Sequence, residues 1–91
     1  MSAPTVLLVD PHEDSRLIYA ACFRHHGVSV VAHACSEAGL QAARTQRPGL
    51  IVLALSFASG PGWTALRALK EEPATAGIPV VAVSTTGIAE H

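Results

Sequence analysis

The stretch Val6-Leu7-Leu8-Val9-Asp10-Pro11-His12-Glu13-Asp14-Ser15-Arg16-Leu17-Ile18-Tyr19-Ala20-Ala21-Cys22-Phe23 decides the fold. Its first four residues are a continuous apolar run, the pattern of a strand covered on both faces. Pro11 lacks the N–H that a central strand needs, so the strand ends before it. The period then changes. Ile18, Tyr19, Cys22 and Phe23 fall on one helix face, and Asp14 or Ser15 is placed to cap that helix, with acidic charge near its positive end. Gly27 stops the helix, and His25 and His26 occupy its last turn. A buried strand running into an amphipathic helix is the first half of a β-α-β unit.

The rest of the chain repeats this alternation. Val28-Ser29-Val30-Val31-Ala32 reads as a second strand. Ser36 is placed as an N-cap for a second, weaker helix that carries Leu40 and Ala43 and runs to Gln46. Gly39 inside it costs about 1 kcal/mol against alanine. Pro48-Gly49 breaks the chain, and Leu50-Ile51-Val52-Leu53-Ala54-Leu55 is the third and most apolar strand. Ser59-Gly60-Pro61-Gly62 is a loop. Trp63, Leu66 and Leu69 stripe a third helix that ends near Glu72-Pro73. Pro79-Val80-Val81-Ala82-Val83-Ser84 is the fourth strand, and residues 85–91 read as a short polar tail. Alternating units of this kind specify a parallel sheet with helices on both faces, joined by right-handed crossovers. Ligands of such folds sit at the carboxyl ends of the strands, here Asp10 to Asp14, Ala54 to Gly62 and Ser84 to Thr86.

Composition narrows the function. With 91 residues the chain is a single domain over 1–91, burying roughly 60–65% of its unfolded surface. Hydrophobic residues make up 49% and charged ones 14%, which excludes a disordered chain. The net charge of −1 builds no positive field, so nucleic acid is not expected as a direct partner. Cys22 and Cys35 form no disulfide framework and read as small buried hydrophobes. No signal peptide and no run of membrane-spanning length is apparent, which points to the cytoplasm. No pair among His12, His25, His26, His33 and His91 has zinc-ligand spacing, so these read as surface histidines.

In order and spacing the motifs resemble the receiver domain of bacterial two-component response regulators. The opening Leu8-Val9-Asp10 with Arg16 six residues on, the entry Gly27-Val28-Ser29-Val30, the run Pro48-Gly49-Leu50-Ile51-Val52-Leu53 and the approach Glu72-Pro73 to Ser84 carry the resemblance. It implies a three-layer, flavodoxin-like and CheY-like parallel sheet with strands in the order 2-1-3-4. Receivers accept a phosphoryl group on an aspartate at the end of the third strand, the position of Ala54 here. A methyl group has no nucleophilic oxygen. Of the acidic pair that holds Mg²⁺ in the family, Asp10 remains and Pro11 replaces the other acid. Asp10 with Glu13 is a poor site for an ion that demands octahedral oxygen ligands, so no cofactor is expected. Ser84 matches the family's switch hydroxyl. Receivers continue into a fifth strand bearing a lysine and a fifth helix, whereas the sole lysine here is Lys70.

The expectation is therefore a degenerate, truncated receiver. Asp10, Pro11, Ala54 and Ser84 would be its vestigial site, Asp10 serving as a strand-end hydrogen-bond acceptor. The protein would be no enzyme but a phosphorylation-independent interaction module. As the last strand, Val80-Val81-Ala82-Val83 would leave an apolar edge open to a protein partner or a homodimer. Phe57 and Trp63 are further contact candidates. Two other readings stand beside it: a receiver fragment with no independent role, and a small ligand carrier on a flavodoxin-like scaffold. For a carrier, Asp10-Pro11-His12-Glu13 lacks the glycine-rich phosphate loop. It has the Asp-x-His of cobalamin-binding domains, but Ser15 stands at their glycine.

Overall fold

The computed structural model describes the backbone of residues 5–55, 61–84 and 87–90, and the side chains of 5–54 and 64–83. The elements follow in the order β1 (Thr5–Val9), α1 (Glu13–His25), β2 (Ser29–His33), α2 (Ser36–Gln46), β3 (Leu50–Leu55), α3 (Pro61–Glu71), β4 (Val80–Ser84) and β5 (Gly87–Glu90). The first four strands are parallel and lie in the expected order 2-1-3-4. The apolar runs are central because both of their faces are covered. On one face Leu7, Val9, Ile51, Leu53, Val80 and Ala82 meet Ala42 and Ala43 of α2 and Ala65, Leu66 and Leu69 of α3. On the other, Val6, Leu8 and Val52 pack with Ala20 and Phe23 of α1. Leu66 and Leu69 thus lie inward as their stripe predicts, and Pro61, which needs no N–H partner there, opens α3.

The open fourth-strand edge is overturned. Gly87–Glu90 adds to it as an antiparallel fifth strand, pairing Val81 with Glu90, Ala82 with Ala89, Val83 with Ile88 and Ser84 with Gly87. The polar tail is therefore partly strand, and the sheet does have a fifth member, reversed in direction. The backbone groups of β4 that were to recruit a homodimer or protein partner are engaged within the chain. Of the β4 residues named for that contact, Val80 is buried and Val81 and Val83 are half-buried.

The face of α1 is also rotated from expectation. Ala20 is buried and Arg16 and Phe23 are half-buried, whereas Leu17, Ile18 and Cys22 are exposed and Tyr19 lies at the margin. The small Ala20 lets the helix approach β1 and β2, and no described element lies over the side that carries Ile18 and Cys22. Cys22 and Cys35 are both exposed free thiols, correcting their reading as buried hydrophobes. The caps shift as well. His12 and Cys35 occupy the N-cap positions of α1 and α2 with no side-chain cap bond, so Asp14, Ser15 and Ser36 lie inside their helices. Gly27 ends α1 as expected, at φ +79.

Gly39 earns its place by packing. A Cβ there would lie 2.5 Å from Cγ2 and 3.2 Å from Cγ1 of Val9, so α2 can seat on β1 only without a side chain at this position. Gly39→Ala gains about 1 kcal/mol of helix propensity but overpacks the contact by about 1–3 kcal/mol. The expected result is a lower melting temperature, read by circular dichroism. An unchanged or raised one would show that α2 lifts off Val9 freely.

Candidate functional site

The candidate site is the carboxyl edge of the sheet. Val9 is in register with His33 on one side and Leu53 on the other. The next residue, Asp10, therefore leaves the sheet between the ends of β2 and β3. Its backbone N–H donates to the His33 carbonyl at 3.0 Å, extending the ladder by one bond. Asp10 is 1% exposed, which is unusual for a carboxylate. Oδ1 accepts the backbone N–H of His12 at 2.9 Å, and the His12 ring Nδ1 stands 3.4 Å away. This is the strand-end acceptor role expected of Asp10, with His12 as the donor.

The residue that sequence reasoning left without a role is Arg16. Its guanidinium donates to the Asp10 carbonyl at 2.8 Å, from the first turns of α1 back over the loop. The six-residue spacing from Asp10 was visible in the sequence, but it does not say whether the carboxylate or the carbonyl is the acceptor. That bond goes to the carbonyl, and the ion-pair partner of the Asp10 carboxylate is His12 when its ring is protonated. His33 was also missed. Its Nε2 is buried with no hydrogen-bond partner among the described residues, whereas His12, His25 and His26 are exposed as expected. A strand-end position beside Asp10 was the available signal.

Ala54 lies in register with Val83, one residue beyond the Leu53 that pairs with Val9, and is half-buried. It therefore stands at the same edge as Asp10. The backbone of Ser84 is in register with Leu55 at the end of β4. The Ser84 hydroxyl, the Trp63 side chain and Phe57 lie outside the described residues. Pro11 is exposed in the loop, and Glu13 is exposed in the first turn of α1. Among the described residues, no three of the His, Cys, Asp and Glu side chains come together as metal ligands. The donor set among the described residues does not fit Mg²⁺. One carboxylate, with one oxygen already accepting an N–H, stands beside a proline and a methyl group that offer no side-chain oxygen.

A doubly wound sheet with strands 2-1-3-4, a buried aspartate after β1 and the end of β3 beside it define the receiver class of α/β domains. The sequence agrees. Residues 6–91 match the model of the response regulator receiver domain, and the chain belongs to that family, the receivers of two-component phosphorelay signalling. No curated protein matches the chain. Among solved structures it is similar to the N-terminal domain of a response regulator receiver protein from Methanoculleus marisnigri JR1, at 27% identity and a TM-score of 0.82 over 90% of this chain and 67% of that one. The chemotaxis response regulator CheY4 of Vibrio cholerae shares its fold at 19% identity and a TM-score of 0.83, over 92% of this chain and 70% of the other. So does the receiver domain of the sensor histidine kinase PA1611 from Pseudomonas aeruginosa PAO1, described with a magnesium ion coordinated in its active-site cleft. There the identity is 21% and the TM-score 0.82, over 90% of this chain and 67% of that domain. Among the described residues no helix is long and apolar enough to cross a membrane.

Proposed function

We propose that this receiver domain takes no phosphoryl group and acts as a phosphorylation-independent protein-interaction module in two-component signalling. The observation that carries the reading is Ala54 at the carboxyl end of β3, beside the buried Asp10. Acyl-phosphate chemistry needs a carboxylate oxygen as nucleophile, and an alanine methyl supplies none. Pro11 removes the second acid, which leaves Asp10 without the oxygen set that Mg²⁺ requires. The domain then has one state where a working receiver has two, so its contribution to a pathway is a surface and not a switch. The chain is read as no enzyme on the same grounds, and as cytoplasmic because that is where a two-component receiver meets its signalling partners.

The test is incubation with acetyl phosphate and Mg²⁺ followed by intact-mass measurement. The expected result is no species heavier by about 80 Da, the mass of one phosphoryl group. A parallel thermal scan with millimolar Mg²⁺ is expected to show no rise in melting temperature, because an ion that does not bind the native state cannot stabilise it. A phosphorylated species that is lost in mild base would overturn the reading.

A further inference from the structure

The outer face of α1 carries an apolar stripe that no described element covers. At about 3.6 residues per turn, Asp14, Leu17, Ile18, Ala21, Cys22 and His25 fall on one side of the helix, at i, i+3, i+4, i+7, i+8 and i+11. All six are exposed, Leu17 to 58% and Ile18 to 68%. Leu17 and Ile18 are the two most exposed large hydrophobics among the described residues, and neither packs into the cluster that Ala20 and Phe23 join. Scattered single apolar residues are normal on a surface. A continuous stripe bounded by charge at both ends has the anatomy of an interface.

We infer that α1 is a self-association surface, pairing antiparallel with α1 of a second copy of this chain about a two-fold axis. The helix is its own complement in that arrangement. Its first turn is acidic, with Glu13 and Asp14, and its last turn is basic, with Arg24 and His25. With the axis crossing between Tyr19 and Ala20, Asp14 faces His25 of the second copy, Leu17 faces its Cys22 and Ile18 faces its Ala21. Large residues thus meet small ones at the centre, as ridges into grooves require. Acidic ends meet basic ends, and the helix dipoles oppose. A two-fold interface needs this self-complementarity, and a parallel pairing would set like charges together at both ends. The net charge of −1 leaves little repulsion between copies. The surface is independent of the phosphoacceptor edge, so the inference survives or fails separately from the proposed function.

The experiment is sedimentation of the full chain over a wide concentration range. A monomer–dimer equilibrium is expected, and Ile18→Lys is expected to weaken it about tenfold or more with an unchanged circular dichroism spectrum. Asp14→Lys is expected to weaken the dimer and Asp14→Lys/His25→Glu to restore it. A disulfide trap gives the register without relying on Ile18. In a Cys35→Ser background, Leu17→Cys is expected to form a covalent dimer with Cys22 on mild oxidation, and the same chain with Cys22→Ser is not. A monomer at every concentration, a dimer indifferent to Ile18→Lys, or preferential Cys22–Cys22 linkage would overturn the proposal. If Ile18→Lys unfolds the chain, failure of the trap alone overturns it.

Discussion

Leu8→Ala is expected to remove about 3–5 kcal/mol of stability. Leu8 is 0% exposed in β1, the strand flanked by β2 and β3. It stands in register with Ala32 and Val52, and its cluster holds Val6, Ala20, Val52 and the half-buried Phe23. That face of the sheet is roofed by one described helix, α1, which contributes Ala20 and the half-buried Phe23 to the cluster. Truncating Leu8 removes buried apolar atoms and leaves a cavity whose buried neighbours, Val6, Ala20 and Val52, are short side chains. A domain of this size has on the order of 5–15 kcal/mol in total, so a loss of that scale leaves it marginal. Urea unfolding should show a much lower midpoint, while Leu17→Ala on the exposed face should stay within about 0.5 kcal/mol of the parent. A loss under about 1 kcal/mol for Leu8→Ala would mean that α1 settles into the space and that this layer is not rigidly packed.

The contrast between Leu8 and Leu17 also marks how far the sequence could be read. Val6–Val9, Leu50–Leu55 and Val80–Val83 announce themselves because a strand buried on both faces has no polar alternation to blur it. Their order in the sheet came with the family resemblance, because crossover handedness fixes which face a helix covers and not the order of the strands. The helix face was harder. The apolar residues of α1 span more than one side, and periodicity selected Ile18 and Cys22 along with Phe23, when the contact with the sheet runs through Ala20 and Phe23. Ala20 carries too little hydrophobicity to register, yet its small size is what allows the close approach. β5 was missed because Gly87-Ile88-Ala89-Glu90 is too short for a period and its strand character comes from pairing with β4. At the site, Asp10 and Ala54 were placed at one edge by counting from strand ends. The hydrogen bonds of Asp10 could not be counted that way. They depend on where the loop turns, which is set by His12 and Arg16 together.

Those hydrogen bonds lead to an expectation opposite in sign to that for Leu8. Asp10→Asn is expected to stabilise the protein by about 1–2 kcal/mol, because it removes a poorly compensated buried charge while keeping an acceptor for His12. Among the described residues the carboxylate accepts one backbone N–H, and the Arg16 guanidinium bonds the Asp10 carbonyl and not the carboxylate. In a receiver that binds Mg²⁺ the ion would offset the desolvation of this group. Here the partner acid is Pro11, the third-strand position is Ala54, and the charge is left with an exposed histidine ring 3.4 Å away. For a domain of this length a gain of that size raises the melting temperature by roughly 4–16 °C. Asp10→Ala separates charge from hydrogen bonding: it relieves the same burial but leaves the His12 N–H without its acceptor, so it should fall below Asp10→Asn. Both variants are compared with the parent by thermal unfolding, with and without Mg²⁺. A lower melting temperature for Asp10→Asn would show that the carboxylate holds the loop through its charge. A parent that gains on Asp10→Asn only when Mg²⁺ is absent would show that the ion still binds. Stabilisation in both conditions is what a relic carboxylate, kept in the fold after its chemistry has gone, should produce.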